Sequence, residues 1–109
     1  MIRYTTPTQV LVIKGHDLSE CDVTVRYRQA IGRSTNANVV DITDATVVYD
    51  GTETTITVQL TQEQTGGFVA GKVQLQVNWL TANGERWATK VVSLPVEDNL
   101  LQEVMENAG

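Results

Sequence analysis

Residues 16 to 21, HDLSEC, hold the side chains of this sequence that come nearest to a catalytic set. They include its single histidine and single cysteine, His16 and Cys21, together with Asp17 and Glu20. In such a set the imidazole could act as base toward the thiol, and a carboxylate could orient the ring. All four side chains sit on one turn, where they splay outward, and no oxyanion donors are apparent. We therefore predict an exposed turn with an incidental thiol, no catalytic residues and a protein that is not an enzyme.

Metal-binding and phosphate-binding motifs are equally sparse. One His and one Cys fall short of the four ligands of a structural zinc site. Several carboxylates between residues 41 and 53 could supply oxygen ligands, but they lack the Asp-x-Asp-x-Asp spacing of a calcium loop, so we interpret them as solvated charge. Gly66-Gly67 precedes no Lys-Ser or Lys-Thr pair and forms no phosphate cradle. The sequence predicts neither a metal nor a cofactor.

Composition narrows the class of partner. The chain has 109 residues, of which 41% are apolar and 19% charged, as expected for one folded domain. Eight basic residues against thirteen acidic ones give a net charge of -5. That charge disfavours binding to phosphate backbones and to anionic lipid. We expect a protein partner, and neither nucleic acid nor a membrane.

The expected location follows from the segments that are missing. The start, MIRYTTPTQV, lacks the basic and apolar segments of a signal peptide, and no stretch approaches the roughly 20 apolar residues of a membrane span. A single cysteine allows no disulfide within the chain. We expect synthesis and folding in the cytoplasm, and release by lysis or inside a virion would fit the same pattern.

Alternation of apolar and polar residues supplies the structural elements. Strands are predicted in QVLVIKG, in DVTVRYRQ, on both sides of Asp50-Gly51 in TVVYDGTETTITVQL, in KVQLQVNWL and in KVVSLPV. Residues 31 to 38 are interpreted as an exposed loop, and TQEQTGG as one short helical turn. These runs predict an all-β fold, an antiparallel sandwich of about seven strands. Its predicted core contains Val25, Tyr27, Ile56, Val58, Leu75, Val77 and Trp79.

The stretch NWLTANGERWAT predicts a hairpin with a two-residue turn at Asn83-Gly84. In that register Trp79 lies opposite Ala88 on the core face, and Leu80 lies opposite Trp87 on the other face. Lys90 then falls on the inward row. The prediction is that Trp79 is buried and that Leu80 and Trp87 form an exposed patch, since large exposed apolar patches usually mark protein contacts.

After Pro95 the pattern changes period. Residues 1 to 96 are assigned to the sandwich domain, and residues 97 to 109 to an amphipathic C-terminal helical tail that begins at Asp98. A helix of about ten residues is marginal alone in water, so its apolar side needs a partner surface. That surface could belong to the same chain or to another subunit. The predicted interaction surface combines the hairpin with this tail: Leu80, Trp87, Leu100, Leu101, Val104 and Met105.

Several segments together resemble a known group of proteins. They are the opening MIRYTTPT, the strand VTVRYRQ, the segment ITVQLTQEQT, and GKVQLQVNW followed by NGERWAT and KVVSLPV. In order and spacing, from Ile2 to Val96, they resemble small proteins of tailed-phage and prophage structural-gene clusters in gut bacteria, with a distant similarity to the N-terminal module of phage baseplate proteins. The resemblance implies an immunoglobulin-like β-sandwich with a structural or assembly role, and no catalytic residues.

Two functions are therefore expected from the sequence. The first is a non-enzymatic phage or prophage structural or assembly protein, associated with the tail or baseplate, which acts through contacts with itself or with other structural proteins. The alternative is a stand-alone carbohydrate-binding or adhesion module, in which the flat ring of Trp87 stacks on a sugar.

Overall fold

The structure is a computed structural model that describes residues 1 to 30 and 37 to 106. Within these residues the chain forms a series of short strands and one helical turn. The elements are β1 (Thr8–Lys14), β2 (Asp22–Ala30), β3 (Ala37–Ile42), β4 (Thr46–Tyr49), β5 (Glu53–Gln59), α1 (Gln62–Gly66), β6 (Gly71–Leu80), β7 (Arg86–Ala88) and β8 (Val92–Val96).

The strands form two antiparallel sheets. The smaller sheet has the order β1-β5-β4, and the larger has the order β3-β2-β6-β7, with β8 also paired to β6. Because β7 pairs with the end of β6 and β8 with its beginning, the two short strands share one edge of the larger sheet. The predicted all-β sandwich is confirmed at this level.

The core lies between the inner faces of the two sheets. All seven residues that the alternation places inside are buried, among them Tyr27, Ile56 and Trp79. Burial raises the pKa of the Tyr27 hydroxyl to about 12, and that hydroxyl donates a hydrogen bond to Gln9. Two further buried side chains, Leu18 and Phe68, come from the turns after β1 and α1. Inward alternation along β2, β5 and β6 therefore builds most of the core, and the turns close it.

Two local predictions meet different outcomes. The helical turn in TQEQTGG is confirmed as α1, whose N-cap Thr61 forms a capping box with Gln64. The predicted loop over residues 31 to 38 falls largely on residues 31 to 36, which lie outside the described part of the chain. Ala37 and Asn38 belong to β3 and not to a loop. The sequence reasoning missed β3, although Val40 and Ile42 alternate toward the core side of the sheet.

The register predicted for the hairpin is wrong by one residue. Trp79 pairs with Trp87, and Leu80 pairs with Arg86. The turn runs from Thr81 to Glu85: the N–H of Gly84 donates to the Thr81 carbonyl at 3.0 Å, and Gly84 has a φ of 84°. This is a three-residue connection that ends in a glycine bulge, and not a two-residue turn. One added residue moves every side chain of β7 to the opposite face.

A second irregularity restores the register farther along the same edge. The predicted pairs of Leu75 with Val92 and of Val73 with Leu94 are both present. Between β7 and β8 the chain bulges, and Thr89 binds Val77 through both its backbone N–H and its hydroxyl. Lys90 is exposed and does not occupy the inward row that the two-residue turn implied. The predicted single strand is therefore two strands, offset by one residue.

The predicted C-terminal helix is absent from the described residues 97 to 106. The N–H and the carbonyl of Met105 bind a side chain outside the tail, whereas in a helix the N–H would bond to a carbonyl within it. The Asn99 side chain accepts a hydrogen bond from the N–H of Leu101, and the Gln62 side-chain amide bonds both the N–H and the carbonyl of Met105. A helix of this length has little stability of its own, so these local contacts prevail.

Candidate functional site

The turn that carries the potential nucleophile does not assemble a catalytic set. Cys21 is half-buried, and its thiol faces the Asp17 carbonyl at 3.8 Å. Burial raises the pKa of the Cys21 thiol, and the negative charges of Asp17, Asp22 and Glu20 raise it further. These effects disfavour the reactive thiolate. The His16 ring packs against tryptophan rings, so the structure gives the pair no activating geometry.

An aromatic cluster occupies the end of the sandwich where β6 turns into β7, which we call the hairpin end. The His16 ring centre lies 5.5 Å from that of Trp79 and 6.0 Å from that of Trp87. Because directly opposed residues share a face, Trp87 points to the same side of the sheet as the buried Trp79. Trp87 is nevertheless 50% exposed, whereas Trp79 is 6% exposed. The cluster joins a core ring to one that is open to solvent.

Leu80 lies on the other side of the same sheet. It lines an open groove of about 540 Å³ on the outer face of β2, β3, β6 and β7, among polar and charged side chains. The prediction of a joint patch of Leu80 and Trp87 is therefore wrong, because the shifted register separates them. The polar residues that line this groove are Asp22, Thr24, Arg26, Asp41, Thr43, Gln76, Asn78 and Arg86.

The charges in this groove are largely matched. Arg26 donates to both carboxylate oxygens of Asp41, at 2.7 and 2.8 Å. This hydrogen bonding holds the pKa of Asp41 below its usual value and raises that of Arg26. Arg86 donates to the side-chain oxygen of Asn78 at 3.2 Å. The outer face of the larger sheet is thus a polar, solvated surface with its principal ion pair satisfied.

The outer face of the smaller sheet has the opposite character, and the sequence reasoning did not single it out. Two rows of outward-facing side chains run across β1, β5 and β4. One row contains Val10, Thr57 and Thr46, and the other contains Val12, Thr55 and Val48. Val10, Val12 and Val48 are 60%, 47% and 57% exposed. No charged side chain occurs in either row. We call this surface the valine–threonine face, and its members are Val10, Val12, Thr46, Val48, Thr55 and Thr57.

A sequence signal for this face does exist. The segment VLVI in β1, residues 10 to 13, is apolar on both of its alternating rows, whereas a strand with one solvent-exposed face has one row of polar side chains. Strands β2 and β6 show such polar rows clearly, with Thr24 and Arg26 in β2 and Gln74 and Gln76 in β6. The continuous apolar run therefore distinguishes β1 as a strand with two surfaces to cover.

The tail residues lie far from the hairpin end. Gln62 of α1 holds the tail at Met105, and α1 precedes the start of β6, whereas Trp87 pairs near its end. The ten residues of β6 extend ~30 Å. The tail does not fold back over Trp87, and the structure does not bring the predicted surface together. The tail side chains are solvent-exposed: Leu100, Leu101, Val104 and Met105.

Neither a metal site, a membrane-spanning helix nor a known relative assigns a function to the described part of the chain. Residues 1 to 30 and 37 to 106 contain no group of three or more His, Cys, Asp or Glu side chains placed to hold a metal ion. In the same residues, no helix has the length and apolar character needed to cross a membrane. The chain matches no protein-family model, no curated protein and no solved structure.

Proposed function

We propose that the chain is a non-enzymatic structural or assembly protein of a phage or prophage, associated with the tail or baseplate, and that it works through protein contacts. The assignment to a phage particle rests on the resemblance of segments such as VTVRYRQ and GKVQLQVNW to proteins of that class. The mode of action rests on the surface of the smaller sheet.

The valine–threonine face is the observation that carries this proposal. It presents six β-branched side chains on three adjacent strands, and its two central rows hold no charge in a chain of net charge -5. A solvent-exposed sheet face normally carries polar and charged side chains, as the outer face of the larger sheet does here. An uncharged face of this kind is suited to burial against another protein, because contact removes apolar area from water without stranding a charge.

The finer fold assignment forms part of the same proposal. We propose an immunoglobulin-like arrangement, in which β1 to β6 take the places of strands B, C, C′, D, E and F, and β7 and β8 share the place of strand G. The orders β1-β5-β4 and β3-β2-β6-β7 then read B-E-D and C′-C-F-G, which supports the assignment. In the described residues, no strand beside β1 corresponds to strand A.

The carbohydrate-binding alternative depends on Trp87. Its half-exposed ring could stack on a sugar, and stacking would need polar side chains beside the ring to bind the hydroxyls. The polar groove lies on the opposite face of the larger sheet from Trp87, so ring and groove do not form one platform. Protein contact is therefore the better-supported function.

A complementation experiment tests the proposal. In the source bacterium, the gene would be deleted from the induced prophage and supplied in trans as wild type, as Val48→Lys or as Gln74→Lys. Val48 lies on the valine–threonine face, and Gln74 is an exposed control on the outer face of the larger sheet. We expect Val48→Lys to weaken the contact about tenfold or more, which corresponds to a loss of about 1.4 kcal/mol, and the titre of infectious particles to fall with it.

Gln74→Lys should restore the wild-type titre, and the chain should be detected in purified particles or in assembly intermediates. A deletion that leaves particle yield and infectivity unchanged would contradict the phage role. Binding to a glycan array that is lost in Trp87→Ser would instead support the carbohydrate alternative.

A further inference from the structure

The free edge of β1 is the feature that leads beyond the proposed function. Within the described residues β1 pairs with β5 alone, along all seven of its residues. The N–H of Gly15 donates to Thr52, and the carbonyl of Pro7 accepts from Leu60, both toward the β5 side. Because backbone direction alternates along a strand, the even-numbered residues of β1 direct their N–H and C=O groups to the open edge. These residues are Thr8, Val10, Val12 and Lys14.

The side of the sandwich next to this edge is also open. An apolar cleft of about 220 Å³ lies between β1 and the β8 edge of the larger sheet, lined by Val10, Leu11, Leu75, Val92 and Leu94, with Gln9 at its margin. Val92 is 51% exposed. A strand added beside β1 would pair the free backbone groups and at the same time cover this apolar opening. Edge strands of this kind, without proline or a central charge, are templates for pairing with another chain.

We propose that the strand which fills this position is β1 of a second copy, paired antiparallel across a twofold axis. As it names one partner, this inference deepens the proposed function and rests on it for its biological meaning. The two valines of β1 would meet their counterparts, and the valine–threonine faces of both copies would join into one continuous surface. The smaller sheets would merge across the dimer.

The register follows from the positions of the side chains. Outward and inward residues must match across the axis, so the pairing can be centred only on whole residues and not between them. Centring on Leu11 places Val10 opposite Val12 of the other copy and Thr8 opposite Lys14. All seven residues of β1 then have a partner, and no like charges face each other. Centring one residue to either side leaves the strand ends unpaired.

The position of the charges on β1 suits a second copy at this edge. The chain has a net charge of -5, so two copies repel each other as whole molecules, and association is favoured where the contact itself adds no negative charge. The single charge on β1 is Lys14, which is positive and lies at the strand end. Pairing centred on Leu11 puts one Lys14 at each end of the joined strands, where both remain in solvent.

Sedimentation over a concentration series tests the dimer. We expect the purified chain to pass from monomer to dimer between about 1 μM and about 500 μM. Val12→Pro removes one edge-facing N–H without removing a bond to β5, and should weaken dimerisation about tenfold or more. Val12→Thr is the matched control, because it retains the N–H and a β-branched shape, and should dimerise as the wild type does. Circular dichroism verifies that each variant is folded.

Cross-linking tests the register independently. In a Cys21→Ser background, the double variant Val10→Cys, Val12→Cys should form disulfides that join position 10 of one copy to position 12 of the other. Directly opposed Cα atoms about 5.5 Å apart permit this bond. Val48→Cys in the same background, on the far edge strand, should not cross-link.

A wild type that stays monomeric across the series, a folded Val12→Pro variant that dimerises normally, or disulfides joining position 10 to position 10 would each overturn the inference. The complementation result at Val48 is independent of all three, because Val48 lies on β4 and not on the proposed edge. A failed dimer with an intact Val48 effect would therefore reject the pairing and leave the structural role standing.

Discussion

The two ends of the sandwich are closed by different kinds of contact. At the helix end, which contains α1 and both terminal segments, hydrogen bonds join parts of the chain that are distant in sequence. Arg3 donates to Asp98 at 3.0 Å and to the Gly66 carbonyl at 2.9 Å, and Thr65 donates to the Thr5 carbonyl at 2.8 Å. At the hairpin end, the His16 ring packs against two tryptophan rings, and the turn that carries it is held by Thr54 of β5, whose hydroxyl donates to the His16 carbonyl at 2.6 Å and accepts from the N–H of Leu18 at 3.1 Å.

The terminal segments explain why the helix end is closed. Ile2 forms a parallel bridge with Glu97, and the N–H of Arg3 donates to the Glu97 carbonyl at 2.9 Å. The start of the chain therefore lies beside the end of β8 and not beside β1. One end of the molecule is tied by hydrogen bonds of the two terminal segments, whereas the other combines aromatic packing with the hydrogen bonds of the buried Thr54. We therefore expect mutations of the rings at the hairpin end to act through loss of buried aromatic area, and mutations at the helix end to act through steric overlap in its close packing.

The largest expected effect is at the hairpin end. Trp79→Ala should lower the free energy of unfolding by roughly 3 to 5 kcal/mol, because it deletes a large buried aromatic side chain. Trp87→Ala, one position across the same hairpin, should cost less than about 1.5 kcal/mol, because half of that ring is already exposed. Urea unfolding of both variants measures the difference. Equal losses would show that both rings belong to the core, and would remove the distinction between them.

An intermediate effect is expected at the helix end, from close packing. A Cβ atom at Gly66 would overlap the ring of Tyr4, so Gly66→Ala forces that ring to move. We expect a loss of about 1 to 3 kcal/mol, as for other overpacked sites. Gly67→Ala is the matched control: its φ is -73°, and the nearest atoms lie 3.5 Å away, so its effect should be below about 0.5 kcal/mol. Thermal unfolding of the two variants tests this close packing, and a Gly66→Ala variant as stable as the wild type would contradict it.

The sequence was sufficient to predict the parts of the fold that depend on local alternation. Strands β2, β5 and β6 bury the residues that a period of two places inside, and the residues of the capping box locate α1. Turn geometry was harder. Asn83-Gly84 suits a two-residue turn, but the hydrogen bonds of Thr81 to both Gly84 and Glu85 select a longer one. The two turns differ by one residue in length, and the alternating pattern of the flanking strands does not show which of them forms.

The candidate surface was predicted less well than the fold, for a physical reason. The Leu80 and Trp87 patch required one register, and a shift of one residue sent the two side chains to opposite faces. The valine–threonine face depends on which strands lie side by side, because Val12 and Val48 become neighbours only through Thr55 of β5. Such pairing between distant segments is set by the tertiary fold. The conformation of the tail is likewise set by its contact with Gln62 and not by the helical period of its sequence.

The smallest expected effect is on the contact between Gln62 and the tail, and it separates docking of the tail from stability of the whole fold. The Gln62 amide accepts from the N–H of Met105 at 2.8 Å and donates to its carbonyl at 3.0 Å. Gln62→Ala removes both bonds, so exchange of the Met105 amide hydrogen should speed up roughly two- to tenfold, as the net strength of one such bond allows. The unfolding free energy should change by less than about 0.5 kcal/mol, because the contact is exposed.

Gln62→Glu keeps the acceptor and loses the donor, and should give a smaller acceleration. Gln74→Ala, an exposed glutamine on the larger sheet, should leave Met105 unchanged. If the Met105 amide of the wild type already exchanged as fast as in an unstructured peptide, the Gln62 contact would not form in solution, and the end of the tail would not be docked on α1.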